Sequence, residues 1–456
     1  MPGYGNWKQL YKEEYFQLVQ EGYEVTGGQE EKLKEILPFS NISEDVLSTE
    51  EEVYWKNAYM LLRGIVEKGV RENFPYQEPE TLEEILADTV EMPRIIKLGE
   101  NQYRERIAGA VIGRCAGVVL GKPLEMGLDR KKIQKYLKSV NQYPLNDFVK
   151  EYSEKENFWL REDCIPSTKG HIQYVQPDDD IHYTVLSLLL AETKGEEFTG
   201  EDIGKLWTEN LPYQWFWCAS RQAYYNYVNL ESNEERENKI REFPDKYNPW
   251  RECIDGQIRS DLWGYLHPGE PEKAAKIAYK DCSFSLTKNG IYGGMFVAGC
   301  ISAALSREPD VYQILQAGLA VIPRKCRLAE AVNNVIHWYQ EKKDWIIVCD
   351  KIYHQYGELP FAAAINNLAI VTLALLHGNL DYTKTITTAV MCGIDTDCNA
   401  GTAGSIVGAA IGENKIPEKW SNPLNNTLKT AVASFGERKI TELIDRIVCL
   451  KKRSEL

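Results

Sequence analysis

Apolar residues recur three and four positions apart along most of this chain, and no stretch sustains the every-second-residue alternation of a half-buried strand. That pattern predicts an all-α fold. The first hundred residues read as short amphipathic helices over 7–19, 29–37 and 50–67. The last of these puts Val53, Tyr54, Ala58, Leu61, Leu62 and Ile65 at helical spacing. From 104 to 120 a longer apolar helix is predicted, ending in Gly121-Lys122-Pro123-Leu124-Glu125, where the proline stops it. Residues 126–175 are polar and mixed, and read as a short helix within an irregular excursion. The next helix opens at Asp178-Asp179-Asp180, runs through Val185, Leu186, Leu188, Leu189 and Leu190, and ends near 192. The aromatic run in 211–227 is read as core. Residues 289–294 read as a glycine turn before an apolar helix over 295–305. Such a turn brings backbone N–H groups near an anion or a sugar, or else makes a tight helix–helix joint. Further helices are expected over 360–376, from Asp395-Thr396-Asp397 onward, and through 417–456.

Two helices carry a glycine every fourth residue: Gly109, Gly113, Gly117 and Gly121 in one, Gly404, Gly408 and Gly412 in the other. Each helical glycine costs about 1 kcal/mol relative to alanine, so a whole stripe makes sense only where another backbone comes close. A phosphate-loop reading of Gly117 to Lys122 fails, because the glycine gap is too short and Pro123 follows the lysine where serine or threonine is required.

Composition narrows the function. The chain has 456 residues, 43% of them hydrophobic, enough for a sizeable core in about two to three domains or one large one. A net charge of −14 argues against a phosphate-backbone footprint, so no nucleic-acid partner is expected. No signal peptide and no membrane span are expected either. The 11 cysteines are scattered, with no CxxC pair, which fits a reducing cytoplasm better than a disulfide framework and gives no zinc-ligand spacing.

The chemistry lies in the carboxylates. Asp178, Asp179 and Asp180 stand at a helix start, where one aspartate suffices as a cap, and burying all three requires a cation to neutralise them. Asp395 and Asp397 form a second cluster at another helix start. Oxygen-only ligands of this kind suit a hard cation such as Mg²⁺, and two clusters suit a shared site for one or two ions. The DDxxD arrangement of isoprenoid synthases does not fit: His182 or Tyr183 stands where the last aspartate is needed.

With these motifs in order, the chain resembles the ADP-ribosylglycohydrolase family. The resemblance rests on the glycine-rich helix ending in Pro123-Leu124-Glu125, on Asp178-Asp179-Asp180, on Asn289-Gly290 and on Gly393-Ile394-Asp395-Thr396-Asp397-Cys398, spanning about 104–412. It implies a helical extension over 1–100, of unassigned role, and a catalytic domain over 101–456. The implied activity is Mg²⁺-dependent hydrolysis of the glycosidic bond between ADP-ribose and a modified side chain or small acceptor, with two ions expected and Mn²⁺ as the alternative. It implies metal ligation by Asp178, Asp179, Asp180, Asp395, Asp397 and Cys398, catalytic roles for Glu125, Asp179 and Asp180, and a substrate pocket lined by Asn289, Gly290 and Tyr292. Candidates for the diphosphate are the 289–294 turn and Arg114. The implied partner is an ADP-ribosylated protein or a small ADP-ribosyl compound.

Two positions depart from the family pattern. Cys398 replaces a threonine ligand, and a thiol is a poor partner for Mg²⁺. Asp178 replaces another threonine and adds charge. These departures keep two other readings open: a member that binds ADP-ribose without turnover, and a hydrolase of a different small glycoside at the same metal site.

Overall fold

The computed structural model describes residues 5–25, 27–37, 46–125, 128–153, 158–230 and 236–454. Helix α1 (Trp7–Gln20) starts where the Asn6 side chain accepts the Gln9 N–H at 3.1 Å. Helix α2 (Thr49–Arg63) starts with a reciprocal capping box between Ser48 and Glu51. Their apolar faces meet in a small core of their own, around Trp7, Tyr11, Trp55, Tyr59 and Leu62. Residues 70–98 differ from the expected run of helices: apart from Leu82–Ala87 they form no α-helix. Pro75, Pro79 and Pro93 interrupt this stretch and remove the N–H donors a helix would need.

Beyond this strap the architecture is helical. Helix α3 (Glu100–Gly121) is followed by α4 (Asp179–Lys194), α5 (Lys288–Ala304), α6 (Ala364–Gly378) and α7 (Thr396–Ile411), with shorter helices around them. Glu100–Leu124 is long and apolar enough to cross a membrane by length and composition, yet 89% of its most apolar window is buried inside the protein. Among the described residues, strands are confined to two short antiparallel pairs, β1 (Tyr152–Ser153) with β2 (Phe158–Trp159) and β3 (Thr427–Lys429) with β4 (Glu437–Lys439). The second pair interrupts the helix expected over 417–456. Asn425 and Asn426 take left-handed backbone conformations there, which end helical structure before the ribbon.

The two glycine stripes face one another. Helices α3 and α7 run antiparallel in backbone contact: a Cβ on Gly113 would lie 2.2 Å from the Gly404 oxygen, one on Gly117 2.2 Å from the Ala400 oxygen, and one on Gly121 2.3 Å from the Thr396 oxygen. Any side chain at these positions would push the helices apart. The stripes join α7 to α3, and α4 is brought in by other contacts.

The 289–294 segment is not a turn. It forms the first turns of α5, and its glycines admit the short helix Asp255–Arg259: a Cβ on Gly256 would lie 2.3 Å from the Gly290 oxygen. Of the two readings open for this segment, the tight joint is the one observed.

Candidate metal centre

Three helix ends converge. The last turn of α3 lies against the start of α7, where Thr396 Oγ1 donates to the Gly121 carbonyl at 2.8 Å. The chain then makes a short 3₁₀ turn over Lys122–Leu124, with Pro123 fitted where no backbone donor is needed, and leaves it extended at Glu125. Glu125 is thereby set beside the second cluster. That cluster is reached by a sharp bend, with Gly393 and Ile394 both at positive φ. Asn367, on α6, fixes the bend: its Oδ1 accepts the Asp395 N–H at 3.3 Å and the Asn399 amide at 2.8 Å. Helix α4 starts at Asp178, whose Oδ1 accepts the Asp180 N–H at 3.1 Å.

One donor atom from each of Glu125, Asp395 and Asp397 lies within 4.8 Å of the others, and the same holds for Asp180, Asp397 and Cys398, and for Asp178, Asp179 and Asp180. Asp397 is common to the first two groups, so residues 218 positions apart in sequence share one site. All the sequence-predicted acidic residues, Glu125 included, are therefore brought together.

Two cations of the protein are built into the cluster. Arg114, on α3 and buried, pairs with Asp180 Oδ1 at 3.1 Å and with Asp261 at 3.2 Å, and donates to the backbone carbonyls of Asp180 and Ile258. This is what holds α4 against α3. It also removes Arg114 as a diphosphate ligand, because its guanidinium points into the core. Lys122 pairs with Asp178 Oδ2. Neither role was read from the sequence, although three adjacent aspartates at a buried helix start already required a neutralising cation. Arg114 stands on the glycine-rich helix itself and Lys122 on the turn that carries Glu125.

The electrostatics divide the carboxylates. Burial would raise Asp178, but Lys122 outweighs it and holds this carboxyl below the usual range. The others are pushed up, first by burial and then by one another: Glu125 to about 10, with Asp397 and Asp178 as its main charged neighbours, and Asp179, Asp180, Asp395 and Asp397 in the same direction. Burial and the surrounding aspartates also push the Cys398 thiol up, so it stays a thiol and donates to Asp180 Oδ2 at 3.0 Å.

These residues fit a divalent cation. Asp395 and Asp397 are 4% and 3% exposed, and the Oδ1 of each is buried without a hydrogen-bond partner. Orphaned anionic oxygens are costly, and a hard cation is the partner their chemistry suits. A cleft of about 330 Å³ is lined by Leu128, Tyr353, Phe361, Asn366 and Ile394 among others, Ile394 being the residue before Asp395 in the chain.

Asn289, Gly290 and Tyr292, expected in a substrate pocket, sit in a different setting. Asn289 donates to Glu78 and Glu252 at 2.8 and 2.7 Å and accepts the Leu328 N–H; Tyr292 donates to the Pro79 carbonyl; Gly290 lies against the Arg251 carbonyl. All three are buried, the two side chains beneath the strap that precedes α3.

A model of the ADP-ribosylglycohydrolase family matches residues 99–455. A comparison with curated proteins returned no match. Among solved structures, a chain described as an ADP-ribosylglycohydrolase-related protein complex is similar over 78% of this chain and 99% of its own, at 17% identity and a TM-score of 0.49.

Proposed function

The chain belongs to the ADP-ribosylglycohydrolase family, and from that premise we propose that it hydrolyses the glycosidic bond between ADP-ribose and a modified side chain or small acceptor, with Mg²⁺ as the cofactor. The observation that carries the reading is the convergence of Glu125, Asp395 and Asp397, with buried unpartnered oxygens on two of them, beside Asp179 and Asp180.

Glu125, Asp395 and Asp397 would hold a divalent cation, with Asp179 and Asp180 beside them. When bound, such a cation supplies Lewis-acid polarisation and relieves the repulsion within the cluster. The protein's own groups divide the remaining work. Asp180 is fixed on both oxygens, by Arg114 and by Cys398, so it sets the position of α4 and contributes fixed negative charge. Asp179 is half-buried and, among the described residues, has no cation of the protein against it. Its carboxylate takes the proton as water attacks the anomeric carbon. Glu125, also half-buried, stays with Asp395 and Asp397 as a ligand, so the proton that Asp179 has taken from the water is the one it passes to the departing nitrogen or oxygen as that bond breaks. The surrounding carboxylates favour the positive charge that develops on the sugar ring.

The test is release of free ADP-ribose from ADP-ribosyl-arginine and ADP-ribosyl-serine peptides, with Mg²⁺ and with EDTA. Metal-dependent release from either supports the reading and identifies the acceptor. No release from both, by protein that takes up Mg²⁺ in calorimetry, overturns it in favour of another glycoside or of binding without turnover.

A further inference from the structure

A count of donor atoms separates this centre into a side open to a cation and a side already served by the protein. Asp178 has Oδ1 on the Asp180 N–H and Oδ2 on the Lys122 ammonium. Asp180 has Oδ1 on the Arg114 guanidinium and Oδ2 on the Cys398 thiol. In these two carboxylates every oxygen faces a donor. Cys398 is itself a donor there, and its soft sulfur is a poor substitute for an oxygen ligand. The buried oxygens that face no donor lie on the other side, Asp395 Oδ1 and Asp397 Oδ1, with Glu125 within reach of both carboxylates; of the first cluster only the half-buried Asp179 has no cation of the protein against it among the described residues. Mg²⁺ demands near-octahedral oxygen ligation and keeps part of its water, so it suits the open side.

Lys122 is placed to matter beyond its one partner. Its side chain is 13% exposed, it is fixed by the turn that also positions Glu125, and its next charged neighbours after Asp178 are Asp397 and Glu125. A positive charge at this point lies between the two acidic clusters. A second divalent ion bridging Asp178 and Asp397 would have to displace the ammonium or sit beside it.

We propose that the Lys122 ammonium takes the place of a second metal ion, so that the centre holds one divalent cation, on Glu125, Asp395 and Asp397, with Asp178 neutralised by the protein itself. This rests on the metal-centre reading above and refines it: where two ions suit a pair of acidic clusters, this chain supplies one of the two cations covalently.

The experiment uses the full chain with Mn²⁺ as the probe, read by equilibrium dialysis and by electron paramagnetic resonance, with no activity assay involved. The parent is expected to bind one Mn²⁺ per chain and to give the spectrum of an isolated ion. Lys122→Arg, which keeps the cation, is expected to do the same. Lys122→Met, which keeps the stem and frees Asp178 Oδ2, is expected to bind two ions and to show spin coupling between them. Two ions in the parent overturn the proposal and leave the metal centre standing, as does a single ion in folded Lys122→Met. No Mn²⁺ in any of the three proteins overturns the metal-centre reading itself. Folding of the variants is checked by circular dichroism, and if Lys122→Met does not fold, the parent's spectrum still decides: coupled ions overturn the proposal.

Discussion

The thiol of Cys398 donates to Asp180 Oδ2 at 3.0 Å, tying the first turn of α7 to the first turn of α4. This contact gives a direct test of which side the cation takes. Cys398→Ser keeps a donor to Asp180 and replaces a soft sulfur with a hard oxygen. Titration calorimetry is expected to show the parent's Mg²⁺ to Cd²⁺ preference unchanged, because residue 398 serves Asp180 on the side away from the cation. A shift toward Mg²⁺ would show that residue 398 faces the ion.

Asp397 belongs to two of the three carboxylate groupings, and its Oδ1 has no partner in the protein. Asp397→Ala is expected to lower ADP-ribose release by roughly 100-fold or more, the scale for losing a charge-stabilising group at a reacting centre. Stability in EDTA is expected to be unchanged or higher, because a repelling buried anion is removed. Rate assays and thermal melts on the same preparation check both halves.

Metal and proton compete for this cluster, and the direction follows from the carboxyl shifts. In the cation-free protein Glu125 titrates at about 10, and Asp179, Asp180, Asp395 and Asp397 are raised as well. A raised carboxyl binds more protons folded than unfolded, so stability is lost as pH rises from the ordinary carboxylate range toward the folded value. Asp178 is shifted the other way, and its contribution is already complete above the ordinary range. The melting temperature in EDTA is therefore expected to fall between about pH 6 and about pH 9, and the rise on adding Mg²⁺ to be larger at the upper pH. A Mg²⁺-induced rise that is the same at both would contradict a carboxylate site.

The α3–α7 contact leaves no room for a methyl group. At Gly117 a Cβ would lie 2.2 Å from the Ala400 oxygen and 2.8 Å from the Gly401 nitrogen, both backbone atoms. Gly117→Ala gains helix propensity yet forces two backbones apart. The expected net result is a loss of about 1–3 kcal/mol or more in denaturant unfolding, together with weaker metal binding, because the same contact sets Gly121 against Asp397. A stabilised variant would mean that the helices can separate freely.

The N-terminal segment is held by buried charge. Arg251 is 1% exposed and pairs with Glu14 at 3.0 Å and Glu21 at 2.7 Å, both on or next to α1. Arg251→Met would leave Glu14 to Arg63 and Glu21 to Lys288, with an expected cost of about 1–3 kcal/mol for the charged hydrogen bonds lost. Limited proteolysis is expected to cleave the first hundred residues faster in this variant than in the parent. Equal cleavage rates would show that the apolar core around Trp7 and Tyr59 holds the segment by itself.

The sequence by itself determined the fold class, because helical spacing of apolar residues is a local property that each segment declares separately. It also determined the membership of the acidic site: Glu125, Asp178–Asp180 and Asp395/Asp397 are each marked by a helix end and a motif. The need for close backbone approach was likewise visible in the glycine stripes. What faces a stripe is a long-range fact, and only the tertiary structure showed that α3 meets α7. The same holds for charge pairing. Lys122 and Arg114 are ordinary cations in a linear text, and their roles come from helix ends brought together across the chain. Asn289 and Tyr292 show the converse: their motif suggested a pocket, but the side chains are taken up under the strap around Glu78 and Pro79, a segment more than two hundred residues away in sequence. Partners at such separations are fixed by packing, which no local pattern encodes.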